Sequence, residues 1–386
     1  MLSKKKIIRN LILVLGILII LIILLCSLGD IKAIWNTISK QCNIMFLLIT
    51  FGITILYAII NQLSMVFLTR RKYKDISFFT LFFISGSEYF FNAITPFSSG
   101  GQPFLAYALK RKKVKLSDST SILLLNFLAY QIVMNIISIV GVAFYYKKLI
   151  TEVPNFGWLV GIGFSINFII MIILILLGTT KFMGKAIVGL MNLLSKIKFL
   201  RKILGSKKES FIIYVDEMQQ AFKEMTLAPG AWFKALFTKL IAHILYYAIP
   251  FFSFWSIGIE MGYENFFYVF FVTSFALTIA VWVPTPGASG GAELAFTTLF
   301  ISLEVLNKEG PDRAKTLAMS GRLIWRFFTY YYLILHGFIN YIIFEKTDKI
   351  NPELEINETI DLEAEDDLNQ INEVDNTILE DTNTNN

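Results

Sequence analysis

The sequence predicts an all-α integral membrane protein with about six full transmembrane helices and two re-entrant helical hairpins in an inverted repeat, eight hydrophobic segments in all. Three observations carry this. The 386 residues are 55% hydrophobic with a mean hydropathy of +0.61, too apolar for a soluble globular chain. Several solidly apolar windows approach or exceed the roughly 20 residues a spanning helix needs, where a barrel would show short alternating strands. The pattern T-P-x-x-S-G-G occurs twice, at Thr95–Gly101 and at Thr285–Gly291, each time between apolar runs. A Pro/Gly break repeated at matching places in two halves is the sequence pointer to a transporter's binding site.

In chain order, Lys4, Lys5, Lys6 and Arg9 precede an apolar run at 7–28. The run is long for a signal peptide and lacks a clear cleavage site, so it reads as a first span. A second span covers 43–68 and ends at Arg70, Arg71, Lys72 and Lys74. Residues 76–95 lead to the first break, and only about eight apolar residues follow before Lys110–Lys113 and Lys115. Eight helical residues rise about 12 Å against a hydrocarbon core of about 30 Å. Residues 76–109 are therefore expected to enter and return on one side.

Spans follow at 117–146 and 156–178. The long basic segment 179–230 has amphipathic patches and is expected either to lie along the membrane surface or to be a soluble linker. A span at 231–257 precedes a second hairpin, 264–283 and 292–306 around the second break, and 316–344 is the last span. The membrane domain is thus expected over 1–344, with one repeat at about 43–146 and the other at about 231–344.

Charge fixes the expected orientation. Residues 345–386 hold 14 acidic residues and 2 Lys, and read as a disordered cytoplasmic tail. The rest holds 33 Lys/Arg against 15 Asp/Glu, a bias that points to lipid headgroups or to orientation during insertion and excludes nucleic acid. Segments assigned to the cytoplasm carry 22 Lys/Arg and those assigned outside carry 7. This predicts a multi-pass cell-membrane protein with both termini in the cytoplasm. Cys26 and Cys42 imply neither a disulfide framework nor a metal, and no cofactor motif is present. His243 and His336, alone in apolar runs, read first as packing residues.

Irregular backbone at membrane depth must be covered by protein or line a wet cavity. Gly100-Gly101 and Gly290-Gly291 each precede a short helix, whose N-terminal N–H groups favour an anion such as a phosphate. Ser98, Ser99 and Ser289 add hydroxyl donors. Helix breaking and capping alone would leave the same signature. Charges within apolar runs add Glu88, Glu293, Arg322, Arg326 and Lys239. Arg322 and Arg326, one turn apart, would hold a phosphate while Glu88 or Glu293 meets a cationic group or a proton; alternatively Glu293 caps its helix or pairs with Arg322. Asn126, Gln131, Asn135 and Asn167 read as polar contacts between helices.

The segment Pro284-Thr285-Pro286-Gly287-Ala288-Ser289-Gly290-Gly291-Ala292-Glu293 resembles the P-x-P-G-G-x-G-x-x-E signature of the lysylphosphatidylglycerol synthase transmembrane-region family. Ala288 departs from it. The Thr95–Arg111 stretch, with Gly-Gly-Gln-Pro and a basic end, is similar to that family too, and the resemblance covers roughly 7–344. In larger members this region is joined to a soluble aminoacyltransferase domain. The 42 residues after 344 are expected to be too few and too polar for one. The resemblance therefore implies lipid translocation, with Pro284, Pro286, Gly287, Gly290 and Glu293 as the matched site, and not lysyl transfer.

The primary expectation is a flippase-type transporter for an anionic or aminoacylated phospholipid or a polyprenyl-linked lipid. The alternatives are a membrane enzyme of headgroup modification, phosphatidylglycerol lysyltransferase by family name, and an accessory partner of such an enzyme. No nucleophile–base constellation, Walker loop or metal cluster supports an enzyme. The expected partner is a membrane lipid with a phosphate headgroup. A lipid-modifying enzyme docked on the basic loop, or a second copy of the chain, stays open.

Overall fold

The computed structural model describes residues 31–95, 98–152, 156–182, 208–227, 229–259, 261–280 and 310–347, with a few single residues between these stretches. The expected first span at 7–28, the second break with Pro284, Pro286, Gly287, Ser289, Gly290 and Gly291, and Glu293 lie outside the described residues. So does the tail beyond 347.

Every element among the described residues is helical. Among the described residues, five stretches are long and apolar enough to cross a membrane: Ile44–Lys72, Leu116–Thr151, Gly161–Thr179, Pro229–Ser256 and Pro311–Thr347. They answer to five of the expected spans. Their outer faces carry large exposed apolar side chains such as Leu56, Ile139, Phe144 and Ile169, a surface suited to lipid.

Helix α1, Ile31–Gln41, is short and precedes α2, Ile44–Lys72. Asn43 caps α2 by accepting from Met45 N at 3.0 Å, and Arg70, Arg71 and Lys72 complement the negative end of its dipole. α3, Phe78–Ala93, and α4, Gly101–Arg111, form the expected hairpin. Their lengths, about 24 Å and about 16 Å at 1.5 Å per residue, fall short of a crossing. The arms run antiparallel, with Phe91 and Phe104 stacked at 4.0 Å.

α5, Leu116–Glu152, returns across the bundle and α6, Phe156–Thr179, follows. α7, Lys208–Thr226, lies within the basic segment and is tied to the bundle, unlike a linker. Ser121 Oγ donates to Met218 O at 2.7 Å, and Gln219 Nε2 donates to Leu177 O and Thr180 O at 2.9 and 2.8 Å.

α8, Pro229–Ser256, is the central helix and packs antiparallel along α2. Asn43 N donates to Ser256 O at 2.7 Å at one end, Tyr57 meets Tyr246 at 4.7 Å between ring centres, and Lys234 approaches Phe67 at the other end. α9, Glu264–Ala280, packs on α5 and α6. Asn167 Nδ2 donates to Thr278 O at 3.1 Å across that contact. Asn135 instead bonds Gln131 O within its own helix.

α10, Pro311–Arg326, opens with Pro311 at its first position after Gly310, whose φ of 85° suits only glycine. A π-helical turn, Phe327–Tyr332, joins it to α11, Leu333–Thr347. By contact the chain divides after Tyr341, and of the unit from Ile342 onward only the end of α11 is described.

Gly337 and Gly141 lie at close helix crossings. A Cβ on Gly337 would lie 2.4 Å from the backbone N of Phe90, and one on Gly141 would lie 2.7 Å from the Phe271 ring and 2.9 Å from Phe275. The arm α3 thus rests on α11, and α9 rests on α5.

One clamp closes the base of the hairpin. Lys72 Nζ lies 2.9 Å from Asp118, Tyr73 donates its hydroxyl hydrogen to the same carboxylate, and Lys115 N donates to Tyr73 Oη at 3.2 Å. Burial, and then the bond to Asp118, push the Tyr73 phenol up to about 12.

Candidate functional site

The break in the first hairpin is built from its own side chains. Thr95 Oγ1 accepts from Gly100 N at 2.7 Å, and Asn92 Oδ1 accepts from Gly101 N at 2.8 Å. These two N–H groups, expected from sequence to face an anion, are instead capped within the hairpin. The residue in the left-handed region is Ser98, at φ 51°, and Gly100 keeps an ordinary φ of −73°. The glycines serve close approach. A Cβ on Gly100 would lie 2.5 Å from Thr95 Cγ2, and one on Gly101 2.6 Å from Glu88 Cγ. Ser98 is half-buried and Ser99 exposed beside the break.

From this break a polar chain runs into the bundle. Glu88 Oε1 accepts from Gln102 Nε2 at 3.0 Å and from Asn92 Nδ2 at 3.4 Å, so the carboxylate ties α3 to α4. Next to it, Tyr89 Oη accepts from Asn61 Nδ2 at 2.8 Å, and Asn61 Oδ1 accepts from Lys239 Nζ at 2.8 Å. Lys239 is 4% exposed and stands close enough to Glu88 for the two charges to act on each other. The ends of this chain lie on α3 and α8, with α2 between them.

Tyrosines surround the same centre. Tyr57 faces Tyr89 and Tyr246, and Tyr130 lies 4.9 Å from the His243 ring. His243 Nδ1 meets Lys239 O at 2.6 Å, an i,i−4 contact within α8, and His336 meets Gln62 at 2.5 Å.

Arg322 and Arg326 are each 4% exposed. Arg326 stacks its guanidinium over Tyr330 at 4.5 Å and acts electrostatically on Tyr246, which places it on the tyrosine-lined centre. Arg322 Nη1 donates to Thr297 Oγ1 at 3.0 Å, one turn away. The π-helical turn begins directly after Arg326, and such turns are frequent at functional sites.

The structure therefore gathers Glu88, Lys239 and Arg326 around one centre, linked through Tyr89 and Tyr246, with Arg322 beside it. The relation of Arg322 to Glu293 lies outside the described residues. Sequence reading missed Asn61, Tyr89, Asn92 and Gln102. Thr95, a cap-type residue shortly before a helix start, carried a usable signal. Asn61 did not, because its partner is 178 residues away.

Among known proteins, the family model described as lysylphosphatidylglycerol synthase TM region matches residues 11–337. A curated relative, a UPF0104 membrane protein of Archaeoglobus fulgidus, is 26% identical over 318 residues, covering 79% of this chain and 88% of that protein. No solved structure matches the chain.

Proposed function

The chain belongs to the lysylphosphatidylglycerol synthase transmembrane-region family, and from that membership and the charged centre of its membrane helices we propose that it moves a membrane lipid between leaflets. The lipid class is an anionic or aminoacylated phospholipid or a polyprenyl-linked lipid, each of which carries a phosphate. The single observation behind this reading is the convergence of Glu88, Lys239 and Arg326 on one tyrosine-lined centre inside apolar helices. A charged side chain at membrane depth costs about 2.5–3.5 kcal/mol on insertion scales, so three in one place call for a polar cargo.

The roles follow from chemistry. Arg326 and Arg322 offer planar donor forks that match phosphate oxygens. Lys239 offers a third cation. Ser98 and Ser99 offer hydroxyls at the break. With the basic ends of α2 and α4 in the cytoplasm, the hairpin reaches the centre from that side. Support for two inverted halves comes from the antiparallel α2/α8 pair and from the matched crossings at Gly337 and Gly141.

The test is reconstitution of the purified chain in phosphatidylcholine vesicles with a trace of fluorescent phosphatidylglycerol. Protein-dependent access of an external quencher to inner-leaflet probe is expected, with the probe chemically unchanged. Lipid movement at the protein-free rate sinks the proposal. Chemical conversion of the probe without movement favours a headgroup-modifying enzyme.

A further inference from the structure

Glu88 has a chemistry that phosphate binding does not use. Among the described residues, the other charged side chains of the site, Lys239, Arg322 and Arg326, are cations. Glu88 is half-buried, and its described hydrogen bonds come from the neutral amides of Gln102 and Asn92. Lys239, its electrostatic partner across the centre, donates instead to the neutral amide of Asn61. The two charges are thus held in each other's field without a direct ion pair. The charged form of Glu88 is favoured by Lys239 together with the amide donors of Gln102 and Asn92, and anything that draws on Lys239 changes its hold on a proton.

A lipid phosphate would do so. Lys239 is the cation that acts on Glu88, and an arriving anion competes with Glu88 for it. Binding of the phosphate then favours a proton on Glu88, and by reciprocity a proton on Glu88 leaves Lys239 to the phosphate.

We propose that Glu88 is a proton-binding site that couples lipid movement to the proton gradient, one proton travelling with each phosphate-bearing headgroup. This rests on the translocation reading. In the step, one proton from water adds to a Glu88 oxygen as the headgroup arrives and returns to water on the other side as it leaves. No other bond forms or breaks, and the carboxylate alternates between one negative charge and none. The protonated acid no longer attracts Lys239 across the gap between α3 and α8, which releases the hairpin arm electrostatically from the central helix.

Other titratable groups face the same centre. Tyr57 on α2, Tyr89 on α3, Tyr130 on α5 and Tyr246 on α8 are phenols, whose ordinary titration lies near pH 10. Arg326 on α10 does not deprotonate in a protein. His243 on α8 and His336 on α11 are the two groups able to mimic a response near neutral pH, so the test keeps both in place.

Two measurements on the full chain test this. In phosphatidylcholine vesicles with fluorescent phosphatidylglycerol, a gradient of one pH unit should drive about tenfold accumulation of probe in one leaflet at one proton per lipid. Glu88→Gln should abolish that accumulation, and Glu88→Asp, which keeps a carboxyl, should retain it. Wild-type lipid movement that ignores the gradient overturns the coupling while leaving translocation intact. The second measurement needs no transport. Infrared difference spectra of the purified protein, titrated from about pH 5 to about pH 9, should show a carboxylic-acid carbonyl band that is missing in Glu88→Gln and grows when short-chain phosphatidylglycerol is added. A spectrum unchanged by Glu88→Gln overturns the proton site. A band that behaves as expected in a protein that moves no lipid keeps the proton site and sinks translocation instead.

Discussion

Lys239 Nζ donates to Asn61 Oδ1 at 2.8 Å, and this bond pins the two antiparallel helices α8 and α2 together at the polar centre. Asn61 is the acceptor for a cation that is 4% exposed. Asn61→Leu should therefore destabilise the protein by about 1–3 kcal/mol, the cost of leaving a buried donor unmet. Lys239→Met alone leaves Asn61 facing an apolar chain. The double variant should cost less than the two singles together, with a coupling of about 1 kcal/mol. Chemical unfolding in detergent micelles measures all three. Additive effects would mean the bond contributes nothing to folding.

Gly337 and Gly161 make a matched pair of tests. A methyl on Gly337 meets the backbone of Phe90 at 2.4 Å, so Gly337→Ala must push α3 off α11 and should cost about 1–3 kcal/mol. Gly161 on α6 has nothing within 4 Å. Gly161→Ala should be neutral or gain up to about 1 kcal/mol of helix propensity. Melting temperatures in one detergent would show the contrast, and equal effects would contradict the close crossing.

Asp118 joins Lys72 and Tyr73, and is itself 3% exposed. Asp118→Ala should cost about 1–2 kcal/mol, because it removes the acceptor of the half-buried Tyr73 hydroxyl, while the exposed Lys72 ammonium turns to water. The neighbouring pair Lys115–Glu217 is open to solvent on both sides, at 58% and 38%. Glu217→Ala should cost well under about 1 kcal/mol. Thermal unfolding in detergent ranks the two.

Arg326 offers a planar guanidinium stacked on Tyr330. Arg326→Lys keeps the charge but loses the fork and the stacking, and should slow lipid movement about tenfold, equivalent to about 1.4 kcal/mol, with the protein still inserted. A wild-type rate in folded Arg326→Lys protein would remove Arg326 from the headgroup site.

The helices and the first hairpin were legible in sequence because the bilayer imposes lengths. Eight apolar residues after Gly101 cannot cross, and the structure turns back there as that length requires. Glu88 and Arg326 were legible because charge in an apolar run stands out. Asn61, Asn92 and Gln102 were not, since neutral amides cost little enough to occur without function and their partners lie on other helices. Whether Gly100 and Gly101 were capped or open to an anion stayed undecided in sequence for a related reason. A glycine pair before a helix looks the same whether its N–H groups face a ligand or the side chains of Thr95 and Asn92.

The crossing of α3 on α11 has a consequence for biosynthesis. Tyr330 Oη donates to Ala93 O at 3.0 Å across 237 residues, and Gly337 seats Phe90 nearby. The ribosome has made the whole first hairpin long before either partner exists. At about 5–20 residues per second, the carbonyl end of α3 waits on the order of 10–50 s for the chain that covers it. Polar backbone cannot face lipid for that time without another partner. The nascent hairpin must therefore be sheltered by the insertion machinery or held near the headgroups until residues 330–337 arrive, and final seating of α3 is among the last events of folding.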